Sequence, residues 1–575
     1  MTRNGSIWML TAALVCSGFA TSARAQVSET RIRELIKQAQ DPASRLQVPA
    51  MPSQGGTADN RPVVALTLDD AVKFALDRNL DIAVQRLNPE INDIAYASIK
   101  SIYHPSLTSL VSTASTTNPS TSTTSGGSAA GQPIVLGATN YNGGIAQSIP
   151  WGGGNYTVAL NNPKNSTTSL NNLFNPVYQP NWSGTYVQPL FRNFTIDSTR
   201  RSLRVTKINR DISDLQLRAT ITNTLSNVRN AYWDYVFAVQ SVDVAQQSVT
   251  LASQLVKDNQ TRVEVGTMAP IDVVQAQSQA ATQQQNLVAA QGAMRTAELA
   301  LKRLIVAGTQ DANWGVRLDP TDRPDFRPET IDIEAAVRRA LTDRTDLYIA
   351  KKNVEANDVT LKYLVDQMRP QVDLSTTYGL VGLGGSQYTY DTSQVGGTVN
   401  KIPTGIVPGG YGDAIDSLFR SQYPRWTVAV NISYPLGVSS QEASVARARV
   451  QQNQVVAQTR QIELQVATDV TNAAINVQSG IERVQAAQAA RELAQKTLEA
   501  EQSKFEVGMS TNYNVILAQR DLATAQSNEL QSILNYRKSL VELERLQQTT
   551  LSSLGITVIS TGGGATTGTR TTTGG

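Results

Sequence analysis

The chain has 575 residues, of which 17 % are charged and 6 % aromatic, with 50 Lys and Arg against 47 Asp and Glu. Arg3 and Arg24 fall in an N-terminal leader, so the balance beyond it is 48 to 47, close to neutral, which argues against nucleic acid as a ligand. The single cysteine, Cys16, lies in the same leader and leaves the mature chain without a disulfide or a Cys-based metal site.

Taken in order, residues 1–25 read as a secretory signal: Arg3, an apolar stretch from Trp8 to Ala20, and an Ala23-Arg24-Ala25 cleavage site. Val15 is too large for lipoprotein processing at Cys16, so no lipid anchor is expected. No later run of 18 apolar residues follows, so no transmembrane helix is expected. Residues 26–61, polar with scattered Pro and Gly, read as a linker. A helix is predicted over 66–104, started by Thr67 with Asp69 and Asp70 and stopped by Pro105. Residues 112–131 are almost all Ser, Thr, Gly, Ala and Asn and read as a flexible loop. Asn155 to Asn161 alternates as a strand does, and a further short strand is predicted over 182–190, closed by Pro189. From Ile196 to Val265 there is neither Pro nor Gly, which predicts a helix of roughly 100 Å at 1.5 Å per residue. It breaks at Val265-Gly266, and a return helix is predicted over 271–307. Residues 311–330, with Gly315 and three prolines near Trp314, read as a connector.

The second half follows the same plan. Helix is predicted over 331–368 and stopped by Pro370. A strand alternates from Val372 to Leu380, a Gly-rich loop covers 382–424, and a second strand runs from Thr427 to Tyr434, closed by Pro435. Helices over 439–506 and 514–553 flank a turn at Val507-Gly508. The Thr- and Gly-rich tail, 556–575, is expected to be disordered.

Specific residues repeat as well. Leu68-Asp69-Asp70-Ala71-Val72-Lys73-Phe74-Ala75-Leu76 returns as Ile333-Glu334-Ala335-Ala336-Val337-Arg338-Arg339-Ala340-Leu341, 265 residues later. Arg262-Val263-Glu264-Val265-Gly266 returns as Lys504-Phe505-Glu506-Val507-Gly508, 242 residues later. Two matches in one order imply a duplicated unit, 62–310 and 331–555. The offset falls from 265 to 242, so the first copy carries 23 more residues, placed between Pro105 and Arg262.

The strands suit a bilayer: period two, 9–11 residues long, apolar on one face and small and polar on the other. Eleven of the 18 tyrosines, with Trp151, Trp182 and Trp426, fall in the strand segments 103–195 and 370–436, as expected of residues at membrane interfaces. About four strands per chain cannot close a barrel, and open edges are not viable in hydrocarbon, so other chains must complete it. Three chains would give about twelve strands. Segment 143–162, around Pro150-Trp151-Gly152-Gly153-Gly154, is either an extracellular hairpin or two further membrane strands. The long helices are too polar for the membrane and must project into the periplasm.

With these features the chain resembles the TolC-type outer-membrane efflux channel family over residues 66–555. The marks are the paired Arg/Lys-x-x-Val-Gly turns, each followed six residues after the Gly by Asp272 or Asn514, the Leu/Ile-x-x-Ala-Val-x-x-Ala-Leu helix starts, and the Pro189-Leu190 and Pro435-Leu436 strand exits. The resemblance implies an α+β membrane protein: a trimeric transmembrane β-barrel continuous with a long periplasmic α-helical coiled-coil barrel. It implies a homotrimer in outer-membrane lipid, docked to a periplasmic adaptor (membrane fusion) protein and an inner-membrane RND or ABC pump. Arg262, Val265, Gly266, Lys504, Phe505, Val507 and Gly508 then mark the adaptor-docking tips, in tip segments 262–272 and 504–514. Asp272, Asn514 and Leu517 mark the periplasmic constriction; where a full acidic ring would place carboxylates, this chain has Asn514 and Leu517. Pro105, Pro189, Pro370 and Pro435 mark the helix–strand junctions.

An enzyme is not expected. His104, the one histidine, adjoins Pro105 at a boundary, and the sequence has no Ser/His/Asp array, zinc spacing or phosphate-binding glycine loop; no cofactor is implied. Two functions are carried forward: an outer-membrane exit duct for tripartite efflux or type I secretion, and, as the alternative, a structural or adhesive coiled-coil cell-surface protein without a transport role. Cargo is not legible, because the predicted lining is generic.

Overall fold

The structure is a computed structural model that describes residues 62–120, 131–169, 172–323, 326–395, 398–434, 436–437, 439–559 and 566–569. The signal at 1–25, the linker at 26–61, Pro435 and most of the tail lie outside them. In chain order the elements are β1 (Val63–Leu66), α1 (Leu68–Arg78), α2 (Leu80–Lys100), β2 (Ser106–Asn118), β3 (Ile134–Ser148), β4 (Asn155–Thr167), β5 (Phe174–Tyr178) and β6 (Asn181–Pro189). Then follow α3 (Ser198–Glu264), α4 (Pro270–Ile305), β7 (Arg317–Pro320), α5 (Ile333–Asp343), α6 (Thr345–Gln367), β8 (Gln371–Val381), β9 (Gly384–Val395) and β10 (Thr398–Val407). The last are α7 (Tyr411–Phe419), β11 (Tyr423–Ser433), α8 (Ser440–Glu506), α9 (Asn512–Leu546), α10 (Thr550–Ser553), β12 (Ile556–Ile559) and β13 (Thr566–Thr569). Among the described residues no helix is long and apolar enough to cross a membrane.

The chain divides into two compact units. The first comprises residues up to Ile94, Arg210–Lys352 and from Ala457 onward. Its helices begin where side chains satisfy their first amides. Thr67 Oγ1 accepts from Asp70 N at 3.1 Å at the start of α1, and Asp332 Oδ1 accepts from Ala335 N at 3.1 Å at the start of α5. Each such cap contributes about 1 kcal/mol. The helix expected over 66–104 is interrupted at Asn79, which has extended backbone and accepts from Asp81 N at 2.9 Å and Ile82 N at 3.2 Å. A helix-capping Asn thus divides an otherwise continuous helical pattern. Arg344, also extended, divides the helix expected over 331–368.

The apolar faces of these helices meet in three clusters. The largest joins α1, the Leu217–Val236 stretch of α3, the end of α4 and Leu318. Tyr232 is fully buried there and donates to Leu66 O at 3.1 Å and to Asp322 Oδ2 at 2.8 Å. Inside the segment read as a connector, β7 pairs in parallel with β1. Four-residue strands are too short to carry a readable period.

The second unit, Ala95–Asn209 with Asn353–Val456, is built on a nine-stranded sheet. Its main path runs β2-β3-β4-β6-β8-β11, antiparallel throughout. A second limb leaves the far part of β4 through β5, β9 and β10. Strand ends that adjoin helices lie together: Ser106 opposes Ala146, Pro189 opposes Asp373, and Gln371 opposes Ser433.

Several expectations meet the structure here. Residues 112–118 are not a loop but the second half of β2, held by ladder pairing to β3 from Asn140 to Ile134; residues 121–130 of that expected loop lie outside the described residues. Residues 382–424 are not a loop either, because they hold β9, β10, α7 and the start of β11. Their glycines serve close approach rather than flexibility: a Cβ on Gly382 would fall 2.0 Å from Ala414 O of α7. Segment 143–162, left open between two placements, falls in β3 and β4, which stand between β2 and β6 as full-length strands of the sheet. In the tail, Ile556–Ile559 and Thr566–Thr569 form an antiparallel pair where disorder was expected.

Candidate functional site

The two turns singled out in the sequence are built alike, and both belong to the first unit. At the end of α3, Gly266 takes φ +79°, its N–H bonds to Val263 O at 3.0 Å, and Thr267 N bonds to Arg262 O at 2.9 Å. At the end of α8, Gly508 takes φ +81°, bonds to Phe505 O at 3.2 Å, and Met509 N bonds to Lys504 O at 2.7 Å. This pair of reverse bonds around a left-handed glycine is the Schellman helix end. The chain then re-enters a helix, with Pro270 at the first turn of α4 and Thr511 Oγ1 accepting from Asn514 N at the start of α9.

The structure joins the two tips. Arg262 Nη1 donates to Phe505 O at 3.1 Å, and its guanidinium lies 4.4 Å from the centre of the Phe505 ring. Phe505 is buried in a cluster with Leu255, Leu498, Val515, Ala518 and Leu522. Lys504 pairs with Glu501 at 2.7 Å, and Ser510 Oγ donates to the same carboxylate at 2.6 Å. Those two bonds hold the Glu501 carboxyl below the usual glutamate value, the Lys504 bond more strongly. Val265, Val507 and Met509 are 67, 71 and 79 % exposed, so the outermost residues of the turns are apolar and open to solvent.

Of the residues expected at the constriction, Asp272 is half-buried in the first turn of α4, and its carbonyl accepts from Asn512 Nδ2 at 3.2 Å. Asn514 is exposed and donates to Ser510 Oγ at 3.3 Å; Leu517 is half-buried one turn further along α9. Sequence reasoning missed Asn259, which is fully buried and donates to Asn512 Oδ1 at 2.8 Å. Its signal was present: Ala252, Leu255, Asn259 and Arg262 follow the three-and-four spacing of a coiled-coil seam, and an Asn in such a seam fixes register.

The sheet of the second unit is the other candidate. Directly opposed residues share a face. One row across all six main strands reads Leu107, Ile145, Val158, Gly184, Tyr378, Trp426, and the row beside it holds Leu160, Trp182 and Leu380. The opposite face reads Ser106, Ala146, Thr157, Thr185, Thr377, Thr427. One face is therefore apolar and aromatic, and the other small and polar. Pro105 and Pro370 immediately precede β2 and β8, and Pro189 is the last residue of β6. At these positions a missing amide donor ends the ladder at little cost.

Comparison with known proteins agrees with this geometry. The chain matches the family described as "OEP: Outer membrane efflux protein" over residues 156–306 and 336–547, more than half its length. No curated protein sequence matches it. Among solved structures it is similar to the outer-membrane channel OprN, at 13 % identity and a TM-score of 0.59, covering 87 % of this chain and 96 % of that one. It is also similar to the Campylobacter jejuni CmeC outer membrane channel, at 13 % identity and 0.57 over 87 and 86 % of the two chains. The open-state Neisseria gonorrhoeae MtrE outer membrane channel gives 15 % and 0.57 over 87 and 95 %. At these identities the structures speak for the fold alone. The chain belongs to the outer membrane efflux protein family and is an exit duct of the outer membrane with a long periplasmic extension.

Proposed function

We propose that three copies of this chain close one barrel and one periplasmic tunnel, and that the paired tips dock a periplasmic adaptor protein linked to an inner-membrane RND or ABC pump. The observation that carries this reading is a sheet with one apolar face that ends in β2 and β11, neither paired on its outer side among the described residues. Such edges are not viable in hydrocarbon, and β11 of one copy against β2 of the next removes both. Equal lengths of α1 and α5, and of α3 and α8 at 67 residues each, support a duplicated unit that would bring six tips to one end of a trimer. The exposed Val265, Val507 and Met509 are the natural contact for the adaptor, and Asp272, Asn514 and Leu517 then lie beside the tunnel constriction.

The test is the purified protein in detergent and in planar bilayers. A trimer by native mass with single-channel conductance is expected; a water-soluble rod without conductance would support the adhesive alternative instead. Val265→Asp with Val507→Asp should abolish export in cells carrying a matched adaptor and pump while leaving trimer and conductance intact. Undiminished export would remove the docking role.

A further inference from the structure

The 23 extra residues of the first copy can be placed. The starts of β2 and β8 are 265 residues apart, and those of α3 and α8 are 242 apart, so the whole difference lies in the strand segment. In the second half β8 pairs directly with β11. In the first half β2 does not pair with β6; the β3–β4 hairpin stands between them, with thirteen opposed residue pairs on the β2 side. The hairpin continues both faces of the sheet. Tyr141, Ile145, Val158 and Leu160 extend the apolar face, and Asn140, Asn142, Thr157 and Asn161 extend the polar one.

The hairpin's turn is also seated at the helix end of the sheet, where an extracellular excursion would not reach. Gln188 Nε2 donates to Gly152 O at 2.7 Å, and Gln147 Nε2 donates to Tyr103 O at 2.9 Å. Gly153, with φ +69°, approaches the loop before α3 so closely that a Cβ there would fall 2.5 Å from Asn193 O.

We infer that Ile134–Thr167 is a wall hairpin, so that the barrel takes six strands from each chain and, on the trimer reading above, closes eighteen strands from three copies. Barrel diameter grows about linearly with strand number. With strands about 4.8 Å apart and tilted about 40°, eighteen give a backbone diameter of roughly 35 Å, where twelve would give roughly 24 Å. The cross-section is then about twofold larger, within the range that leaves an open aqueous channel. The polar face that the hairpin adds, from Ala138 to Ala146 and from Asn155 to Asn161, carries amides, hydroxyls and small residues but no charge. The bore widens for bulky cargo without adding fixed charge to its wall.

Single cysteines test this in a C16A background, which removes the only native cysteine. Y141C and L160C probe the apolar face, and N142C and N161C the polar face, in protein reconstituted into vesicles. A membrane-impermeant charged maleimide should label the two Asn positions at least tenfold faster than their neighbours, and a bilayer-soluble maleimide should reverse the order. Similar aqueous rates at all four positions would place the hairpin outside the wall and overturn the inference. Adjacent residues serve as each other's folding control. Strands counted in a cryo-electron microscopy map should number eighteen, and twelve would overturn it. An alternating pattern in an assembly of other than three chains supports the wall hairpin and overturns the trimer alone.

Discussion

Gly508 lets the tip be tested by backbone energetics alone. Its φ of +81° lies in the left-handed region, and a Cβ built on it would meet nothing within 4 Å. Replacement therefore adds no clash, and its cost is the conformational penalty alone. That penalty is about 1 kcal/mol for Ala and about 2 kcal/mol for the β-branched Val, whereas Asn, which enters this region readily, costs a fraction of that. At about 1.4 kcal/mol per factor of ten, local opening at the tip should rise about fivefold in G508A and about thirtyfold in G508V. Amide hydrogen exchange, followed by mass spectrometry on peptides that span Phe505–Thr511, reads this directly, because the reverse bonds from Gly508 and Met509 are those that break. The order of protection should be Gly, Asn, Ala, Val, with the middle of α8 unchanged. Gly266, at φ +79° and equally open, should give the same series in its own peptide. Equal protection in Asn and Val variants would refute a left-handed tip, and with it the physical reason for glycine at both turns.

Three further outcomes follow from the same structure. Lys302 Nζ lies 2.7 Å from Glu298 Oε1, with both side chains almost wholly buried. Lys302→Met should strand a buried carboxylate and cost about 3–5 kcal/mol, read as a lowered thermal midpoint in detergent; an unchanged midpoint would mean that water reaches the pair. Glu501 is held below its ordinary value of 4.5 by Lys504 and Ser510, so its contribution to the tip is fully present above that value and lost as pH falls through the lowered one. Tip exchange should be flat around neutrality, rise only in acid, and lose that dependence in E501Q; a rise near pH 7 would contradict it. Asn514→Asp should strengthen block of single-channel current by trivalent cations if Asn514 faces the pore, and unchanged block would place it elsewhere.

Local rules set much of this protein directly in its sequence. Val-Gly turns after proline- and glycine-free stretches fix where the long helices end, because a left-handed residue is the cheapest way to close a helix's last carbonyls. Alternation from Val372 to Leu380 and from Thr427 to Tyr434 fixes two strands, because period two places every second side chain on one face. The seam Ala252, Leu255, Asn259, Arg262 was equally legible, had a buried amide been sought in it.

What only the tertiary structure decided depends on neighbours distant in the chain. Ser112–Asn118 has no apolar alternation, yet it is a strand, because the ladder to β3 supplies backbone bonds that composition cannot announce. Gly382 and Gly384 read as flexibility, yet they admit α7 against the sheet. Arg262 against Phe505 joins helices 243 residues apart, a separation at which no periodicity carries information. Segment 143–162 carries no sign of its neighbours in the sequence; its pairing within the β3–β4 hairpin, in register with β2 and β6, is set by shared faces and paired edges across the whole sheet rather than by any one segment's pattern.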